Sequence, residues 1–362
     1  MKELFNYDTA KYFDKFTFAV LLLLSAGGVV LIYSASHSAG QSYVFKQLLW
    51  LLFSIVVFFI VFLVKTEKIF ASCFYIYAVL AGILVLQIAV GQITSGTKSW
   101  IKTGFFNIQV SEFIKVALAL CLAKLCARIT TIGWKAFFKI SFIIGLPFVL
   151  IALQPDLGTA FMLVSFFLMM IFLKGIKPVI VVCIIIGLVG VSFTAWQYVL
   201  KPYQKDRIVS FLNPEKYEKS SGYQIIQSKI AIGSGGLSGK GYLSGTQSQY
   251  KFLPTRHTDF IISVLGEEFG FLGISVLLLL FFVLFYRQFN LSDVRSDQEF
   301  YFVYLFNGLI LFQFLINISM SIGFFPILGI PLPFVSYGGS SLLAFFIGEA
   351  IVFRVKLNNF LP

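Results

Sequence analysis

Ten apolar runs, each about as long as a membrane-spanning helix, punctuate this sequence and leave little room for any other architecture. They lie at approximately 16–33, 47–64, 69–90, 110–127, 137–153, 157–173, 178–199, 260–285, 301–322 and 341–357. A helix rises about 1.5 Å per residue, so roughly 20 apolar residues cover the hydrocarbon core of a bilayer. Within that core every backbone amide must find a partner, which restricts spanning segments to helices or closed barrels. Barrel strands are shorter and alternate apolar with polar residues, and these runs do neither. With 58% hydrophobic residues, 44 Phe and only 12% charged residues, the chain reads as an all-α integral membrane protein. The expectation is a single polytopic domain over 1–362, a bundle of about ten transmembrane helices. The start of the chain is polar and mixed in charge, and no cleavage site follows the first run, so that run is expected to be kept as a span.

Cys73, Cys121, Cys126 and Cys183 fall in or beside apolar runs with no His nearby, which indicates neither a disulfide framework nor a zinc site. The net charge of +12 follows from topology and does not call for nucleic acid. With the N-terminus inside, fifteen Lys or Arg from Lys2 to Lys356 face the cytoplasm, against Lys46, Lys98 and Lys102 in the short outer loops. That bias places both termini in the cytoplasm. It places the long loop at about 200–258, with nine Lys or Arg and three acids, outside. Such a basic loop suits either a phosphate-bearing ligand or general attraction to anionic headgroups. Its Gly233–Gly241 stretch reads equally as a flexible turn or a backbone phosphate cradle, without the spacing of a P-loop.

Charges inside spans are costly and usually functional. Glu112 and Lys115 open the fourth run on its outer side, three residues apart on one helical face, either as a site pair or as a mutually neutralising one. Asp156 sits in the short outer turn between the fifth and sixth runs, as a site acid or as a helix cap. Asp259 stands where the polar loop meets the eighth run, a boundary where a carboxylate can hold a raised pKa and still reach a bilayer-borne substrate. Glu267 and Glu268 are expected two turns deeper along that run. The ninth run ends outside in Asn317, Ser319 and Ser321, followed by a Pro- and Gly-rich segment reaching Ser341. Irregular backbone at that depth implies a wet cavity open to the outer leaflet.

The chain resembles the SEDS family of cell-wall proteins (shape, elongation, division and sporulation), and its RodA branch more than its FtsW branch. The resemblance rests on Gly96–Trp100, Ser111–Lys115, Gln154–Ala160, Gly245–Gln249, Arg256–Asp259 with Gly266–Glu268, and Pro331–Ser341. Two departures are Val110, where the family usually has Pro, and Ser319, where it usually has Gly.

The resemblance implies a GT-C-like SEDS fold in the bacterial cytoplasmic membrane. It implies a peptidoglycan glycosyltransferase that polymerises lipid II on the outer face during elongation, beside a class B penicillin-binding protein. The ligands would be lipid II and the nascent glycan strand. Asp259 is then the general base on the acceptor 4-hydroxyl, with inversion at the donor anomeric carbon. Lys115, Arg207, Lys240 and Arg256 are candidates to meet the departing diphosphate, with a divalent cation (Mg or Mn) as the alternative. His257 either assists or shapes the local hydrogen bonding, and Trp100 either stacks on a sugar or anchors the interface. Ser336 and Ser340 are supporting candidates. Competing readings are a flippase for the lipid-linked precursor and a noncatalytic scaffold for the crosslinking enzyme.

Overall fold

The computed structural model describes residues 11–37, 42–90, 99–102, 107–200, 202–217, 221–250, 252–290, 294 and 296–358. Helices α1 (Lys15–Ser36), α2 (Ser42–Phe62) and α3 (Thr66–Val90) lead to a short hairpin of β1 (Trp100–Lys102) and β2 (Asn107–Gln109). The strands are antiparallel, with Trp100 opposite Gln109. Next come α4 (Val110–Cys126), α5 (Trp134–Leu153), α6 (Leu157–Met162), α7 (Val164–Lys174) and α8 (Pro178–Thr194), which ends in a π turn over Ala195–Val199. The chain continues through α9 (Pro202–Leu212), a 3₁₀ turn (Pro214–Tyr217), α10 (Ser221–Ser234) and α11 (Thr246–Gln249). Three long helices close it: α12 (Ile261–Phe289), α13 (Asp297–Ser321) and α14 (Gly339–Asn358).

All ten expected runs fall on helices. Among the described residues, seven spans are long and apolar enough to cross a membrane, with α6 and α7 joined as one of them. The other three are α4 and α8, of 17 residues each, and α14, which carries Glu349, Arg354 and Lys356. Burial separates the inner helices from the outer ones. Nearly every residue of α4 is buried, as befits a helix that is apolar all round, and its Ala117, Ala119 and Ala123 let α3, α13 and α14 approach closely. At Gly348 of α14 a methyl group would overlap the Phe306 ring of α13. In contrast, α2 and α5 turn Phe53, Val56, Phe138 and Phe142 outward, as a lipid-facing surface requires.

Helix α12 carries the eighth run, expected at 260–285, but turns a corner within it. Its lower part runs antiparallel to α1: Arg287 meets Asp14 at 3.0 Å, and Glu268 accepts from the Ser34 hydroxyl. Its upper part turns away from that axis. Phe314 of α13 packs against Phe281 with ring centroids 4.3 Å apart, yet Asn317, about 4.5 Å further along α13, reaches the backbone of Asp259 at 2.9 Å. A straight α12 would carry Asp259 roughly 33 Å beyond Phe281. The corner is Gly270, with φ 62° and ψ −157°, a conformation reserved for glycine. The portion from Gly270 to Phe289 is about 30 Å long, one bilayer core. Glu267 and Glu268 therefore lie at this corner, level with the end of α1, and not two turns deeper in the span.

A corner breaks helical hydrogen bonds, and the glycine-rich stretch restores them. Lys240 N and Gly241 N donate to the carbonyls of Glu267 and Glu268 at 3.0 Å each, while Phe271 N and Leu272 N donate to Gly236 and Leu237 at 2.9 and 3.0 Å. Gly233–Gly241 is thus a clasp on the corner, with Gly239 N also spent on Gly235 O at 2.8 Å. The amides of Gly239, Lys240 and Gly241 are engaged in the clasp and so are not offered to a phosphate. The rest of the expected loop at 200–258 is largely helical, with α10 laid against α12 through Ser228 and Ser263 at 2.7 Å.

Candidate active site

Asp259 ends a tight turn after Pro254, in which the amides of Thr258 and Asp259 both donate to Thr255 O, at 3.2 and 3.1 Å. A second irregular segment, 326–338, forms the facing wall. The Ser336 hydroxyl donates to Thr258 O at 2.5 Å and accepts from Leu332 N at 2.9 Å, and Tyr337 N donates to His257 O at 2.9 Å. Asn317 Nδ2 donates to Asp259 O at 2.9 Å and to Ile330 O at 2.7 Å. Two loops that sequence separates by some seventy residues are thereby fixed to each other. Gly329, with φ 74°, lies on the carboxylate side: a methyl group there would stand 3.8 Å from Asp259 Oδ2.

Burial raises the Asp259 carboxyl to about 6, against the opposing pull of the Arg207 charge and the nearby Thr258 and Thr255 hydroxyls. Arg207 of α9 is held in place by its bond to Ile327 O at 3.3 Å. A half-buried carboxylate titrating near neutrality, beside a cation, can take a proton from a hydroxyl at physiological pH.

The other candidates separate by neighbourhood. Arg256 is buried and donates through Nε to Ala35 O at 2.5 Å, which pins the turn to the C-terminal end of α1. His257 packs its ring against Tyr43 at 4.8 Å and Tyr337 at 5.8 Å, and burial together with Arg256 lowers its pKa. Both positions favour shaping the turn. Glu112 and Lys115 pair at 2.9 Å, deeply buried, and Lys115 also donates to Gln313 Oε1 at 3.3 Å. Asp156 caps α6 by accepting from Thr159 N at 3.2 Å, and it accepts from Gln109 Nε2 at 2.8 Å. Burial and the Glu112 charge raise its pKa. Ser340 accepts from Gln109 N at 3.0 Å and donates to Asn107 O at 3.1 Å, so it anchors β2. Trp100, half-buried on β1, lies in the same hairpin.

Lys240 is drawn elsewhere. Its ammonium lies 2.8 Å from Glu267 at the Gly270 corner, about 12 Å of helix rise from Asp259. Of the four cations expected to meet a diphosphate, Arg207 is the one that acts on Asp259 in this arrangement. Among the described residues no three His, Cys, Asp or Glu side chains gather as metal ligands. Sequence reasoning missed Gln313. The signal was its i, i+4 spacing to Asn317, two amides on one face of an apolar span.

Residues 14–360 match the model of a family of cell cycle proteins, FtsW, RodA and SpoVE. The chain is 38% identical over 289 residues to the peptidoglycan glycosyltransferase MrdB of Escherichia coli K12, covering 79% of this chain and 78% of that one. It is 32% identical to the peptidoglycan glycosyltransferase RodA of Treponema pallidum, with 95% and 97% covered. A solved structure of a peptidoglycan synthase complex that coordinates polymerization and crosslinking contains a chain of like fold. That chain superposes with a TM-score of 0.82 at 25% identity, covering 97% of this chain and 99% of its own.

Proposed function

The chain belongs to the FtsW, RodA and SpoVE family and is a RodA-like peptidoglycan glycosyltransferase of the membrane, and from that premise we propose that Asp259 is its general base. The observation that carries this reading is a carboxylate raised to about 6, set between two interlocked loops with Arg207 beside it. Asp259 takes the proton of the acceptor sugar hydroxyl as that oxygen attacks the donor anomeric carbon. The donor's diphospholipid leaves from the opposite face, so one displacement inverts the configuration, and a second carboxylate is not needed.

Arg207 is the side chain best placed to meet negative charge near Asp259. Lys115, bound to Glu112 and Gln313, and Lys240, bound to Glu267, serve the fold first. A divalent cation, Mg or Mn, would find no cluster of His, Cys, Asp or Glu ligands among the described residues and would be held chiefly by the diphosphate and water, a set that suits Mg. It would supply charge neutralisation at the leaving group.

The substrate is lipid II, taken from the outer leaflet, and the product is a growing glycan strand used in elongation. A class B penicillin-binding protein is the partner, in keeping with the synthase complex of like fold. Reconstitution with fluorescent lipid II, with and without that partner and with and without chelator, tests the reading. Glycan polymer is the expected product. Lipid translocation without polymer would support the flippase instead.

A further inference from the structure

Two amides of α13 connect the buried ion pair to the turn that bears the base. Lys115 Nζ lies 2.9 Å from Glu112 Oε2 and 3.3 Å from Gln313 Oε1. The other end of Gln313 donates to Pro331 O at 2.9 Å. One helical turn later, Asn317 Nδ2 donates to Ile330 O at 2.7 Å and to Asp259 O at 2.9 Å. Lys115, Gln313 and Asn317 are all at most 2% exposed, so no water competes for these bonds.

We propose that Gln313 and Asn317 are positioning residues that hold Asp259 against the 330–331 backbone and tie that placement to the Glu112–Lys115 pair. Residues four apart on a helix present side chains to one strip of surface, and here both amides grip consecutive carbonyls of the same loop. Lys115 fixes which end of Gln313 points at the loop, because an ammonium can face only the carbonyl oxygen. Gln313 must then offer its NH₂ to Pro331. Asn317 is fixed likewise, since two carbonyls, of Asp259 and Ile330, demand a donor. The pair of charges at Glu112 and Lys115 thus acts on Asp259 through hydrogen-bond polarity, without touching substrate. A displacement of about 1 Å at the base is enough to cost on the order of 10²-fold in rate.

This inference rests on Asp259 as base, and the experiment separates the two. Asn317→Leu and Gln313→Met conserve volume and add no charge. With lipid II and the partner present, each is expected to lower kcat by at least about tenfold while KM for lipid II stays within about threefold. Gln313→Met combined with Lys115→Met should cost no more than the worse single change, because both cut one chain. Hydrogen exchange on the Glu112→Gln, Lys115→Met protein, which retains no buried charge at that pair, should quicken in the 254–260 turn. Asp259→Asn is the reference. If it is inactive while the α13 variants keep native kcat, or if the combined losses multiply, or if exchange at the turn is unchanged, the positioning role fails and the base stands. If Asp259→Asn polymerises at the native rate, both fall.

Discussion

Lys240 Nζ and Glu267 Oε1 meet at 2.8 Å beneath the Gly270 corner, and the fully buried Glu267 carboxylate also accepts from Thr246 Oγ1, Gln247 N and both the amide and hydroxyl of Ser248. The cation that looked like a diphosphate ligand in the sequence is thereby committed to holding the clasp. Lys240→Met should destabilise the protein by about 1–3 kcal/mol, less than for a wholly buried pair because the lysine is partly exposed. Melting curves should show the loss, while the polymerisation rate per folded molecule changes little. A collapse of that rate at unchanged melting temperature would return Lys240 to the substrate site.

The corner itself is testable at Gly270. Any side chain there pays about 1–3 kcal/mol for the backbone conformation, and its Cβ would overlap the Leu237 and Gly239 backbone. Gly270→Ala should therefore melt well below the native protein, whereas Gly27→Ala, in open space on α1, should not.

Asp259 makes a pH-dependent contribution to stability with a definite sign. Its carboxyl rises from 3.8 to about 6 on folding, so the folded chain holds the proton more tightly than the unfolded chain. That contribution is present below about pH 3.8 and is lost as pH rises through about 6. Asp259→Asn removes the cost of burying the charge. It should melt above the native protein at pH 7.5, with the difference closing towards pH 4. A difference independent of pH would contradict the burial.

Arg207 lowers the Asp259 carboxyl against the pull of burial. Arg207→Gln should move the acidic limb of the kcat/KM profile to higher pH, besides lowering the rate. An unmoved limb would mean that the guanidinium does not act on the base.

Much of this was legible beforehand, for physical reasons. Apolar run length reports the bilayer thickness, so all ten runs fell on helices. The Glu112–Lys115 pair and the Asp156 cap are local, set by i, i+3 spacing and by the preference of Asp for helix starts. The Gly270 corner was hidden because the residues on both sides of it, Ile261–Leu265 and Leu277–Leu284, are equally apolar; direction does not register in hydropathy. Lys240 and Asn317 stand out as polar residues, but their partners lie 27 and 58 residues away, and Gln313, 198 residues from Lys115, is marked only by its i, i+4 spacing to Asn317.

Polymerisation of lipid II by purified Asp259→Asn, with the proposed class B penicillin-binding protein present and the fold confirmed by its melting curve, bears most directly on the central claim. A folded, partner-bound protein that makes no glycan strand is the predicted result. Strand synthesis at the native rate would contradict Asp259 as the base.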